Sequence, residues 1–109
     1  MLFTAVARRH FVGGELVDTH GVHPEAVRAV AAELDVPLVD MTASSSELLT
    51  DLGEAASRPL FLWVAPGHPN YPEGVQDNTH FSPEGAQQVA GPAVDGLRRL
   101  GMLLGVFHQ

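Results

Sequence analysis

The stretch PEAVRAVAAELDVPLVDMTASSSELLTDLG, residues 24–53, changes its hydrophobic period twice. Pro24 suits the first turn of a helix, and Val27, Val30, Ala31 and Leu34 then fall at i, i+3, i+4 and i+7, on one apolar face. The next run, 36–41, is short, β-branched and apolar up to Asp40, without polar alternation. That pattern suits a strand covered on both faces. Thr42 then caps a second helix to about residue 52, with Leu48, Leu49 and Leu52 facing inward and Gly53 stopping it. Helix, buried strand and helix in this order predict an α/β layered fold with parallel strands.

Working outward, LFTAV (residues 2–6) is a second short apolar run and is expected to be a buried strand. HFVGGELVDTHGVH (10–23) is a loop that a hairpin at Gly13-Gly14 can close. PLFLWV (59–64) is either a third strand or a packed loop. APGHPNYPEGVQDNTHF (65–81) holds three prolines and two glycines and is expected to be irregular. Ser82 is a good N-cap, Pro83 fits the first helical position, and Glu84 favours the positive end of the helix dipole. That last helix continues through Ala86, Val89, Ala90, Ala93, Leu97 and Leu100. Pro92 sits inside it, where a proline removes a hydrogen bond and costs about 3 kcal/mol. The tail GMLLGVFHQ is rather apolar for an exposed end.

Two or three parallel strands make a poor sheet, because two bare edges invite pairing. Residues 1–109 are therefore expected to form one partial domain, the second half of a doubly wound fold. Alone it should be marginally stable, or self-associate through its exposed strand edges. No internal repeat or low-complexity tract interrupts it.

Composition narrows the function classes. A hydrophobic fraction of 45% is that of an ordinary globular protein. The chain has 13 acidic residues against 6 basic ones, all arginine, for a net charge of −7. Such a chain is a poor binder of nucleic acid or of anionic membrane, both of which call for clustered cations. No apolar run is long enough to span a bilayer. Without cysteine there is no disulfide, thiol nucleophile or thiolate-held zinc. The start, MLFTAVARRHF, has its arginines after the apolar run, the reverse of a secretory signal. A chain beginning here is expected to stay in the cytoplasm, unless it is part of something longer that is secreted.

Little in the chain can carry chemistry. DNTH (77–80) places Asp77 three residues before His80, on a loop just ahead of a helix. There an aspartate can curl back onto the far ring nitrogen of a histidine base, fixing its tautomer and stabilising the imidazolium. The same four residues also describe a solvated turn. Ser44, Ser45 and Ser46 follow Thr42 and read as helix-start chemistry rather than a nucleophile. His20, His23, His68 and His80 show no spacing that sets a metal geometry, and no metal is expected. Asp40 ends a strand where α/β sites form, but is better placed as a helix cap or on a solvated loop. Trp63 and Tyr71 can stack on a sugar, although the apolar neighbours of Trp63 favour core packing.

The run DNTHFSPEGAQQVAGPAVDGLRRL (77–100) resembles the last block of the GDSL/SGNH esterases, above all the rhamnogalacturonan acetylesterase group, where an Asp-x-x-His-Phe segment precedes the C-terminal helix. The likeness extends upstream through 6–53 and 59–81, covering nearly the whole chain in order. It implies an α/β/α SGNH fold, present as its C-terminal half and starting in the family's fourth strand. It implies serine-dependent deacetylation with His80 as general base and Asp77 as its orienting acid. It also implies an acetylated pectic or related carbohydrate as substrate, and no metal or organic cofactor. GHPNYPEG (67–74) resembles the family's loop near the active site, so His68, Asn70 and Tyr71 are expected to line a substrate cleft. The family's Gly-Asp-Ser nucleophile block, and the glycine and asparagine blocks of its oxyanion hole, do not occur in these 109 residues. Alone, the chain is expected to be inactive. The alternative is a non-catalytic remnant or binding module of the same fold.

Overall fold

The computed structural model describes residues 1–102, so part of the apolar tail, 103–109, lies outside the described residues. The elements run β1 (Leu2–Phe3), β2 (Phe11–Val12), β3 (Glu15–Leu16), α1 (His23–Glu33), β4 (Leu38–Val39), α2 (Met41–Ser57), a 3₁₀ turn (Arg58–Leu60), β5 (Phe61–Val64), β6 (Val75–Phe81) and α3 (Pro83–Arg99). The chain is mixed α/β. β1 and β4 pair in parallel, Leu2 opposite Leu38 and Phe3 opposite Val39, with α1 as the crossover between them. β2 and β3 form the small hairpin around Gly13-Gly14.

The third apolar run departs from expectation. Its first residues turn into the 3₁₀ element, and the rest, β5, pairs antiparallel with β6 instead of joining a parallel sheet. The expectation that residues 65–81 are irregular is thereby corrected. The prolines and glycines are confined to the connection, and the proline-free residues 75–81 return along β5 as a strand. A neighbour in sequence can pair at once, whereas a parallel partner needs a long crossover.

Helix ends follow local chemistry. Asp40, not Thr42, caps α2, its Oδ1 accepting from Ala43 N at 3.2 Å. The same carboxylate accepts two bonds from Arg28, at 2.8 and 3.1 Å, and one from buried Thr4 at 2.7 Å. Asp40 is thus a structural node that ties the segment just after β1 to α1 and α2. Gly53 leaves helical geometry (φ 83°, ψ 176°), but the helix resumes beyond it to Ser57. Ser82 caps α3, its Oγ accepting from Gly85 N at 3.1 Å and donating to Pro59 O at 2.7 Å. Pro92 stands inside α3 and the helix continues past it.

Two small apolar clusters form the core. One gathers Val39, Met41 and Val89; the other gathers Leu49, Leu60 and Phe61. Leu48 and Phe81 pack against both and join them. Elsewhere the predicted faces are only half used. On α1, Ala31 is buried while Val30 is 43% and Leu34 65% exposed; on α2, Leu52 is exposed although Leu48 and Leu49 pack inward. No described helix is long and apolar enough to cross a membrane.

Candidate functional site

His80 sits where the β5–β6 ladder breaks. Phe61 faces Phe81 and Leu62 faces Asp77, so one step on β5 spans four on β6, and residues 78–80 bulge out of the ladder. Bulges re-aim side chains while their flanks stay anchored. Phe81 provides one anchor, its ring 5.4 Å from that of Phe61 against the core. Phe81 stays packed on the core while the bulge carries His80 out of the ladder. The His80 side chain is 76% exposed.

Asp77 closes the bulge from the other side. Its Oδ1 accepts the backbone N–H groups of Thr79 (2.7 Å) and His80 (3.0 Å), which the broken ladder leaves without strand partners. Its Oδ2 lies 2.8 Å from His80 Nδ1. The backbone N–H groups of His80 and Thr79, then the His80 ring, draw the Asp77 carboxyl down to about 2. At neutral pH it is a carboxylate and can only accept, so the proton of the pair stands on His80 Nδ1. The neutral ring then carries its lone pair on Nε2, on the side open to solvent. One oxygen shapes the loop and the other sets the tautomer.

Asn78 and Thr79 are held from a distant part of the chain. Arg9 N donates to Asn78 O at 2.9 Å, and Arg9 Nη1 donates to Asn78 Oδ1 at 3.0 Å. Trp63 Nε1 donates to the same Oδ1 at 2.8 Å, and Arg8 Nε donates to Thr79 Oγ1 at 2.9 Å. The Trp63 ring lies 5.5 Å from the guanidinium of Arg9 and 4.6 Å from that of Arg58, and it packs, half-buried, against the Leu49, Leu60 and Phe61 cluster. Sequence reasoning passed over Arg8, Arg9 and Asn78. An arginine pair some 70 residues from the motif carries no local signal of contact with it.

His68, Asn70 and Tyr71 come together on the connection between β5 and β6. His68 Nδ1 accepts from Asn70 N at 3.0 Å, and the His68 and Tyr71 rings stand 5.6 Å apart. All three are exposed and share the hairpin that carries Asp77 and His80, but no hydrogen bond or ring contact links them to that pair. Ser44, Ser45 and Ser46 lie in the first turns of α2. Ser45 is buried, accepting from Ala7 N at 2.8 Å and donating to Met41 O at 2.6 Å. Its hydroxyl is fully engaged in structure. His20 directs Nε2 to Val6 O, 2.8 Å away, and among the described residues no three His, Asp or Glu side chains converge as metal ligands.

Two Bacillus subtilis proteins match the chain. A rhamnogalacturonan acetylesterase is 45% identical over 103 residues, 93% of this chain and 44% of that protein. A probable rhamnogalacturonan acetylesterase is 31% identical over 104 residues, 95% of this chain and again 44% of the relative. The chain thus spans less than half the length of the curated relatives it matches. No protein-family model matches it, and no solved structure matches it.

Proposed function

Because the chain is related to the rhamnogalacturonan acetylesterases over their C-terminal part, we propose that it supplies the acid–base pair of a serine-dependent acetylesterase acting on acetylated pectic carbohydrate. The observation that carries this reading is the 2.8 Å contact from His80 Nδ1 to Asp77 Oδ2, with the opposite face of the ring open. A base must have a free Nε2 and a partner for the imidazolium it becomes, and this pair meets both needs. The serine comes from outside these 109 residues, which contain no Gly-Asp-Ser sequence.

In that reaction the serine hydroxyl attacks the acetyl carbonyl while His80 Nε2 takes its proton. Asp77 stabilises the resulting imidazolium. His80 then returns the proton to the departing sugar oxygen, leaving an acetyl-serine. Water repeats the cycle against that ester and releases acetate. His68, Asn70 and Tyr71, on the same hairpin, serve as the sugar-facing edge.

A chimera tests this. The chain replaces the matched portion of the 45%-identical relative, which supplies the remaining sequence. Release of acetate from acetylated rhamnogalacturonan, abolished by His80→Ala, is the expected result. A folded chimera that binds the polysaccharide yet releases no acetate would instead make the chain a binding module. The 109-residue chain alone is expected to hydrolyse an aryl acetate no faster than buffer.

A further inference from the structure

Arg9 is 5% exposed, yet among the described residues no carboxylate lies within ion-pair distance of its guanidinium. A buried cation ordinarily has such a partner, because desolvation is expensive. Instead the guanidinium is spread over neutral acceptors: Ser57 Oγ at 3.0 Å, Glu54 O and Asn78 Oδ1. Two of the bonds made by residue 9, one from its backbone and one from its side chain, end on Asn78. Asn78 is the first residue of the bulge, and Arg8 grips the second, Thr79. Residues 78–80 have no strand partner on β5. Their geometry is set from one side by Asp77 and from the other by these two consecutive arginines, with Trp63 Nε1 sharing Asn78 Oδ1.

We propose that Arg9, assisted by Arg8, is a positioning residue for His80: it clamps the bulge at Asn78 and Thr79 so that the imidazole stays on Asp77 with its proton on Nδ1. The clamp runs from the α2 end (Glu54, Ser57) through the guanidinium to Asn78, so the seating of α2 is transmitted to the ring. Its bearing on catalysis rests on the assignment of His80 as general base. The geometric claim does not.

Imidazole ¹⁵N shifts of His80, followed across pH 4–9 in the labelled 109-residue chain, read the tautomer directly, and the Asp77 carboxyl ¹³C shift, followed from about pH 1.5 to 5, reads its titration. The wild type is expected to hold one neutral tautomer, with Nδ1 protonated. Arg9→Met keeps the bulk and removes the fork. It is expected to bring the two nitrogen shifts toward a common average and to move the Asp77 carboxyl titration from about 2 toward 3.8. Arg8→Ala should give a smaller change in the same direction. Arg28→Met, which removes a guanidinium bound to Asp40, should lower the melting temperature without altering the His80 shifts. If Arg9→Met fails to fold, Asn78→Ala removes the same side-chain contact, and the Trp63 Nε1 bond with it, while leaving Arg9 on Ser57 and Glu54. It should reproduce the ring effect, whereas Trp63→Phe, which removes the Trp63 bond alone, should not. Unchanged His80 shifts and Asp77 titration in Asn78→Ala, or in a folded Arg9→Met, overturn the proposal. In the chimera, Arg9→Met should lower kcat about a hundredfold with KM little changed, the scale of a displaced catalytic group. A chimera still active with His80→Ala would remove the acid–base assignment alone, since the ring shifts are measured without turnover.

Discussion

Asp77 divides its two oxygens between architecture and chemistry, and that division sets what its replacements do. In an active chimera, His80→Ala should remove most of the turnover, because nothing else accepts the serine proton. Asp77→Asn should cost up to about 10⁴ in kcat, since an amide hydrogen-bonds the ring but favours the wrong tautomer. The carboxyl also gives a pH signature. Its folded value of about 2 lies below the ordinary 3.8, so between those values the unfolded chain holds more protons and stability rises with pH. The contribution is complete above about 4 and disappears as pH falls through 2. Thermal melts from pH 2 to 5 should show wild type gaining more over this interval than Asp77→Asn. Parallel curves for the two proteins would mean that the carboxylate does not hold the bulge in solution.

Elements of this chain meet through a few polar and backbone contacts rather than through broad apolar faces. Ser45 on α2 accepts the Ala7 N–H. Ser45→Ala strands that partly buried donor and should cost about 1–3 kcal/mol in denaturant titrations. Ser44→Ala, whose hydroxyl reaches Met41 of its own helix, the carbonyl at 3.4 Å and Sδ at 3.9 Å, should stay within about 0.5 kcal/mol. The three adjacent serines are therefore not equivalent, although the sequence presents them alike. α3 is seated more tightly still. A Cβ on Gly85 would lie 1.7 Å from Leu60 O and 2.6 Å from Leu60 C, backbone atoms with little room to retreat. Gly85→Ala should cost at least the roughly 1–3 kcal/mol usual for overpacking, seen as a lowered melting temperature. It should also disturb Phe81 and His80, because Ser82 N is bonded to Leu60 O at 3.1 Å.

At the scale of the whole molecule, the radius of gyration is 16.0 Å, against about 13 Å for a compact domain of this length. Among the described residues the strands form three separate two-stranded sheets instead of one. Leu2, Phe3, Ala26, Val27 and Val30 line an open apolar hollow beside β1. Bare edges and open apolar faces of this kind seek cover. The 109-residue chain should unfold broadly on heating and show concentration-dependent mass in light scattering. The chimera should melt sharply as a single species. A sharp, concentration-independent transition of a monomeric 109-residue chain would show that the two small clusters suffice.

The elements whose cause is local were legible in the sequence. Pro24, Ser82 and Pro83 mark helix starts by their own backbone chemistry, Gly13-Gly14 marks a hairpin, and runs 2–6 and 36–41 each hold a short strand, Leu2–Phe3 and Leu38–Val39, although the first is not buried as its lack of alternation suggested. Asp77 and His80 were legible as a pair because three residues of loop suffice to bring a carboxylate to a ring. Tertiary structure decided the rest. The direction of β5 depended on which partner reached it, and an apolar tetrapeptide serves a parallel or an antiparallel neighbour equally well. The use of Asp40 as a node depended on Arg28 and Thr4 arriving from two other elements. The bulge that presents His80, and the arginines that hold it, depended on residues 8 and 9 meeting residues 78 and 79. Periodicity describes how a segment faces its surroundings; it holds no record of which distant side chain will arrive there.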